Sequence, residues 1–330
     1  MQTTNMADML SEYQTNLKGF HTRINNELTI LLYHGVTDIQ SRGIENIQGK
    51  HIQASDFANQ MEYLRKHCHV LSLDDFLEIQ KGGDALPPKS TIVSFDDGFR
   101  NNYSIAAPIM EEHQVPAVFY ISSGVVSTDI MFWVDILEDA INLSGKSTIR
   151  VRLDREEEFS IRNDREKLQA LARIKGYCKT ATAVEVDRII QEIQEVTDVV
   201  ATVNHSKNYQ KIAWKELKEM HENSLFTIGG HALYHNILSS LGGDLLKKEI
   251  RASLDLLEIN LQSPITHYSY PEGQSHHYNQ EAIDQLKESG IVCSPSAICG
   301  MNSITEDPFH LKRIMVGFCG IPFPFWDPSI

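Results

Sequence analysis

Several things are missing from this sequence, and each absence closes a door. The N-terminus, MQTTNMADMLSEYQTNLKGF, has no basic stretch followed by the apolar core of about 7–15 residues that marks a secretory signal. No apolar run approaches the roughly 18 residues of a membrane span. The longest runs, such as AVFYI at 117–121, are strand-sized. Cysteine is scarce: Cys68, Cys178, Cys293, Cys299 and Cys319 include no C-x-x-C pair, and an odd count argues against a complete disulfide framework. Basic residues are in deficit, with 30 Lys and Arg against 44 Asp and Glu and a formal charge of -14. Such a surface does not hold a polyanion by counterion release, so nucleic acid is excluded as an expected partner. Together the absences predict a cytoplasmic protein with reduced thiols and no transmembrane segment.

What is present is the composition of a folded chain: 330 residues, 42% hydrophobic and 22% charged. That length suits two domains, or one barrel of about 250 residues carrying a large insertion. Residues 1–27 read as a polar N-terminal arm. From 28 to 126, strand-like runs (LTILLYHGV, VLSL, STIVSFDDG, PAVFYIS) alternate with helical stretches. Ser55 is placed to cap a helix over 55–67, and glycine closes another over 74–83. Pro108 requires a kink within the helical run 102–114. Residues 127–222 are charged and mainly helical, with a hairpin expected over 149–162. The alternation resumes over 223–330, with strands at 224–231, 266–273 and 291–297. The expected fold is α/β. A barrel of about seven strands with a large, mainly helical insertion is favoured over an open sheet, although periodicity alone does not separate them.

Three segments put metal-binding residue types at strand ends. SFDDG (94–98) carries the adjacent carboxylates Asp96 and Asp97 before Gly98. Held close, like charges raise each other's proton affinity unless a cation takes one of them, leaving the other free as a base. GGHALYHN (229–236) spaces His231 and His235 four apart, one face of a helical turn. SYPEGQ (269–274) is turn chemistry, with Tyr270 and Glu272 facing either a ligand or the scaffold. Each segment alone also reads as an ordinary turn. Taken together, one Asp and two His leave coordination positions open for water and substrate. The donor mixture suits zinc, with cobalt, nickel and iron left open. Such an ion brings bound water toward a pKa of about 7, and the second Asp is placed to take its proton.

These segments resemble those of the polysaccharide deacetylase family, the NodB-like carbohydrate esterases with a distorted (β/α) barrel. SFDDG is similar to the family's T-F-D-D-G, and GGHALYHNIL to its G-S-H-(T/S)-x-x-H segment. SYPEG, LLYHGV (31–36) and FHLKRIMV (309–316) resemble the A-Y-P-Y-G, Y-H-x-V and F-x-L-x-R-I segments of the subgroup acting on poly-N-acetylglucosamine. The likeness covers about 28–126 and 223–317. It implies Asp96 as general base, Asp97, His231 and His235 as ligands of one divalent metal, and Tyr270, Pro271 and Glu272 as lining the substrate site. The arginine that braces the base in many members is absent from the SYPEG segment, and Arg313 is the candidate to replace it. The usual acid histidine is not evident. His34 is a candidate for acid or substrate contact, ahead of His267, His276, His277 and His310. Trp133 either stacks on a sugar or anchors the insertion. The implied activity removes an N-acyl group, chiefly acetyl, from an amino sugar or saccharide intermediate of surface-polysaccharide metabolism. An O-deacetylase, an amidase, or a decayed barrel that only binds are the competing readings. The oligomeric state is left open.

Overall fold

The computed structural model describes residues 27–317, so the predicted arm up to Asn26, Cys319 and Trp326 lie outside the described residues. The elements in chain order begin with β1 (Glu27–Tyr33), β2 (Gly35–Thr37), β3 (His51–Gln53), α1 (Ala54–His67), β4 (His69–Val70), α2 (Leu73–Gly82) and β5 (Ser90–Phe95). A π-helical turn, Asn102–Ala106, leads into α3 (Ala107–His113), followed by β6 (Ala117–Ile121). Next come α4 (Trp133–Leu143), β7 (Thr148–Arg152), β8 (Glu156–Ser160), α5 (Asp164–Cys178) and α6 (Ala183–Thr197). The chain continues with α7 (Trp214–His221), β9 (Phe226–Gly230), α8 (Gly243–Leu261), α9 (Gln280–Glu288), β10 (Asn302–Ser303) and β11 (Ile314–Met315).

Strands β5 and β6 are buried along their whole length, and β1 beyond its first residue. Unbroken apolar runs of this kind suit parallel strands covered on both faces. β1, β5, β6 and β9 pair in parallel, in that order. The sheet then continues through single bridges, Gly230 to Tyr268 and His267 to Cys293. Backbone bonds from Ser296 N–H to Leu311 (2.8 Å) and Arg313 N–H to Ile298 (3.0 Å) carry it to β11, which pairs in parallel with β1. Seven staves therefore close a (β/α) barrel. The closure is distorted because the strands expected over 266–273 and 291–297 shrink to isolated bridges. Pro271 and Pro295 within them have no N–H for a ladder.

Alternation along β6 separates two cores. Ala117, Phe119 and Ile121 join the layer packed against the outer helices. Val118 and Tyr120 face the lumen with Ile30, Ile92, Cys293 and Leu311, and α2 adds Leu73 and Phe76. Helix α2 is fixed by a reciprocal cap. Ser72 Oγ accepts from Asp75 N–H (3.0 Å), the Asp75 carboxylate accepts from Ser72 N–H (3.1 Å), and Gly83 closes the helix at φ 74°.

Two local expectations are corrected. Ser55 is not a cap, because β3 runs straight into α1 and Gln53 holds the capping position with no side-chain bond. The kink expected at Pro108 is a π turn that ends just before it. Pro108 then falls at the start of α3, where a missing N–H does no harm.

Residues from α4 to α6 build a third core, from Leu137 and Ile141 through Val151 and Ile174 to Ile193, which Ile44 between β2 and β3 also joins. The expected hairpin is present as β7 paired antiparallel with β8. Helix α7 behaves differently, since its Leu217 and Met220 belong to the barrel's outer core. The insertion's packed body thus ends before α7. No helix among the described residues is long and apolar enough to cross a membrane.

Candidate active site

The site sits where β1, β5 and β9 end, the face on which barrel enzymes place their chemistry. After Phe95 the chain turns through Asp97 (φ 82°) and Gly98 (φ 84°), two successive left-handed residues. A non-glycine residue there costs roughly 1–2 kcal/mol, and such strain concentrates at functional sites. The turn sets Asp96 and Asp97 side by side, both buried.

His231 and His235 are not on a helix, contrary to the expectation from their spacing. Ala232 (φ 60°) and His235 (φ 61°) bend the segment into an irregular turn that brings the two rings to 4.9 Å between centroids. At Gly229, a Cβ would meet the Tyr120 ring at 2.6 Å and the His267 carbonyl at 2.9 Å, so only glycine allows β9 this approach.

Asp97 Oδ1 lies 3.6 Å from His231 Nε2 and 3.4 Å from His235 Nε2. The three donor atoms fall within 4.8 Å of one another. His231 Nδ1 sits 2.9 Å from the Ser269 carbonyl, which assigns the proton to Nδ1 and turns the Nε2 lone pair toward Asp97. Burial pushes the His231 imidazole down to about 4, which leaves its Nε2 free to act as a donor toward a cation. Asp97 Oδ1 is buried without a hydrogen-bond partner. An orphaned carboxylate oxygen facing two imidazole nitrogens fits a divalent cation, and the oxygen and nitrogen donors fit zinc-type chemistry.

Asp96 is held differently. Arg313, itself buried, donates from Nη1 to Oδ1 and from Nη2 to Oδ2, each at 2.8 Å. Arg313 is fixed in turn by the Ser296 carbonyl (2.7 Å) and Ser269 Oγ (2.7 Å). Burial pushes the Asp96 carboxyl up, but Arg313 and His231 outweigh it and hold the group below the usual carboxylate range. Burial opposes ionisation of Asp97 as well, and Lys50 with His235, His34 and His231 hold that carboxyl low.

The other sequence-predicted residues separate. His34 follows β1 directly and feels both carboxylates, yet burial pushes its imidazole below the ordinary value. Tyr270 does not face the site. It is fully buried, donates to the Phe309 carbonyl (3.1 Å) and stacks on Tyr278 at 3.9 Å, so that segment offers its backbone and not the ring. Pro271 is buried beside it. Glu272, in a left-handed turn, pairs with Lys179 of the insertion at 2.6 Å. Trp133 packs against the insertion's core, the anchoring alternative. His267 pairs with Asp74 (2.8 Å), and His277 lies 3.2 Å from Gln274 N. His276 and His310 are exposed. None of these last four joins the Asp97 cluster.

Sequence reading missed Lys50, whose Nζ lies 3.7 Å from Asp97 Oδ2 and 3.0 Å from Asp135. It also missed Lys211, buried over the Phe99 and Phe132 rings at 4.1 and 4.0 Å. Lysines in loops carry no periodic signal. Ser269 opens the SYPEG segment, but nothing local marks its hydroxyl.

Comparison with known proteins agrees with this geometry. A model of the polysaccharide deacetylase family matches residues 176–294, a stretch containing both His231 and His235. A poly-beta-1,6-N-acetyl-D-glucosamine N-deacetylase of Staphylococcus aureus is 29% identical over 94 residues, which is 28% of this chain and 32% of that protein. The namesake from Escherichia coli K12 is 32% identical over 69 residues, 21% of this chain and 10% of that one. Matches to these curated relatives thus span a third of their length or less. Among solved structures, the Streptococcus pyogenes deacetylase PplD in complex with acetate superposes with a TM-score of 0.59 at 14% identity, over 92% of this chain and 97% of that one. IcaB from Ammonifex degensii gives 0.57 at 18% identity, over 88% and 92%. These structural likenesses speak for the fold. Barrel fold, motif order and the family match over residues 176–294 together support the polysaccharide deacetylase family for this chain.

Proposed function

We propose that this protein is a metal-dependent hydrolase that removes the N-acetyl group from an amino sugar. The observation carrying this reading is the division of labour between two adjacent carboxylates. Asp96 is clamped by Arg313, while Asp97 Oδ1 is left facing His231 and His235. A divalent ion held by Asp97, His231 and His235, zinc by donor chemistry, would supply Lewis acidity and a lowered water pKa.

The remaining chemistry belongs to the chain. Asp96, held ionised, accepts the proton of the attacking water. Arg313 binds both Asp96 oxygens in a planar fork and so fixes the direction from which the proton is taken. Backbone N–H groups of the SYPEG segment would be the donors to the carbonyl oxygen as it gains charge, where fixed donors have most effect. His34 feels the charge of both carboxylates and is the candidate for substrate contact, and the proton that Asp96 takes from water is the one available to the leaving amine. The Lys179–Glu272 pair ties the insertion to the rim of the site, which supports a small or terminal sugar as substrate. Together with the cytoplasmic reading of the sequence, that favours a sugar nucleotide or saccharide intermediate over a mature polymer.

The test is acetate release from a panel of N-acetylated sugar nucleotides and N-acetylglucosamine oligomers by zinc-loaded protein. Asp96→Asn is expected to lose about 10²–10⁴-fold in rate while keeping its metal. If the loaded wild type frees no acetate from any N-acetylated sugar, the proposal fails.

A further inference from the structure

We infer that Lys50 is a positioning residue that holds one oxygen of Asp97, so that this carboxylate offers a single oxygen to the metal. The inference rests on the reading of Asp97, His231 and His235 as metal ligands.

The two oxygens of Asp97 have different surroundings. Oδ1 faces the two imidazoles and has no hydrogen-bond partner. Oδ2 faces the Lys50 ammonium at 3.7 Å. Lys50 is held where it stands. Its Nζ donates to Asp135 Oδ1 at 3.0 Å and lies over the Phe99 ring, 4.4 Å from the centroid. Asp135 is buried at the start of α4, and its second oxygen lies 3.7 Å from Lys211 Nζ. Lys211 is wholly buried against Phe99 and Phe132. The order is therefore Lys211, Asp135, Lys50, Asp97, with cations and carboxylates alternating. The first helix of the insertion supplies the acid that aims the lysine.

Two consequences follow from charge and geometry. A carboxylate with an ammonium on one oxygen does not chelate an ion through both, so coordination positions stay open for substrate and water. The ammonium also repels a cation bound to the other oxygen, and this repulsion is strong because the pair is shielded from water. Lys50 thus lowers metal affinity while it preserves an open site. Asp135 limits the penalty by neutralising part of the lysine's charge.

The experiment uses the full chain stripped of metal. Zinc affinity is measured by competition with a chromophoric chelator, and the visible spectrum is recorded after loading with cobalt(II). Lys50→Met is expected to bind zinc at least ten-fold more tightly, with a weaker cobalt band as Asp97 adds its second oxygen. Lys50→Arg, which restores the cation, is expected to return both readouts toward wild type. Asp135→Asn releases Lys50 onto Asp97 and is expected to weaken zinc binding about ten-fold, which keeps the inference testable if Lys50→Met does not fold. Equal zinc affinities and cobalt spectra across the folded variants would overturn it. A wild-type protein that takes up neither zinc nor cobalt would instead remove the metal reading itself.

Discussion

Arg313 and Asp96, 217 residues apart in sequence, meet through two contacts of 2.8 Å inside the barrel, where both are almost free of water. A pair this buried is asymmetric in its energetics. Breaking one side leaves an uncompensated charge, which costs about 3–5 kcal/mol, whereas replacing both costs less. Arg313→Met is therefore expected to lose about that much in urea unfolding. The double variant Arg313→Met with Asp96→Asn should be more stable than the sum of the single losses predicts. Arg313→Lys keeps a charge but not the fork, and its rate should fall at least about ten-fold. An Arg313→Met protein as stable as wild type would show that the pair is not holding the carboxylate.

Zinc added to metal-free protein should raise its unfolding temperature, because an ion that binds only the folded chain stabilises it by mass action. At a hundred-fold excess over Kd the gain is about 2.7 kcal/mol, or roughly 5 °C for a chain of this size. His235→Ala removes one of the three donors and should abolish most of the shift. A shift that survives the loss of both histidines would place the ion elsewhere.

Glu138 predicts a pH dependence away from the site. Burial, reinforced by neighbouring Asp135, pushes its carboxyl from 4.5 up to about 7, while its Oε1 accepts from Asn46 N–H (3.3 Å) and Tyr209 Oη (3.2 Å). The folded chain then keeps a proton that the unfolded chain has released. The contribution is complete below the unfolded value and is lost as pH rises through about 7. The loss amounts to about 3 kcal/mol by linkage. Glu138→Gln keeps a hydrogen-bond acceptor and removes the charge. Its urea midpoint should exceed that of wild type near pH 8 and match it near pH 4. Parallel curves for the two proteins across that range would refute the assignment.

Much of the frame was legible in the sequence because its signals are local. LTILLY, STIVSF and AVFYI are uninterrupted apolar runs, which is what a parallel strand covered on both faces requires. The staves over 266–273 and 291–297 were legible as extended chain but not as bridges, because pairing depends on partners far along the chain. The two histidines were read from their spacing and their closeness was foreseen. The turn that produces it was not, since left-handed Ala232 and His235 leave no mark on composition. Arg313 was reachable through a resemblance in its strand and a missing arginine elsewhere. Lys50 was out of reach: it stands in an irregular loop, and what gives it a role is Asp97 and Asp135, both distant in sequence.

Lys179 at the end of α5 reaches Glu272 at 2.6 Å, the pair that ties the insertion to the turn bordering the site. Lysine is the more exposed partner, and the pair faces enough water that its contribution to global stability should stay below about 1 kcal/mol. Its effect should be local. Lys179→Ala is expected to unfold within about 1 °C of wild type while amides around 176–182 exchange faster, because that segment loses its tie to the barrel. A loosened insertion uncovers the rim, so the ratio of kcat/KM for a long N-acetylglucosamine oligomer to that for a monomer should rise. Faster exchange with an unchanged ratio would mean that the insertion does not restrict substrate length, and a polymer would return as a substrate on equal terms.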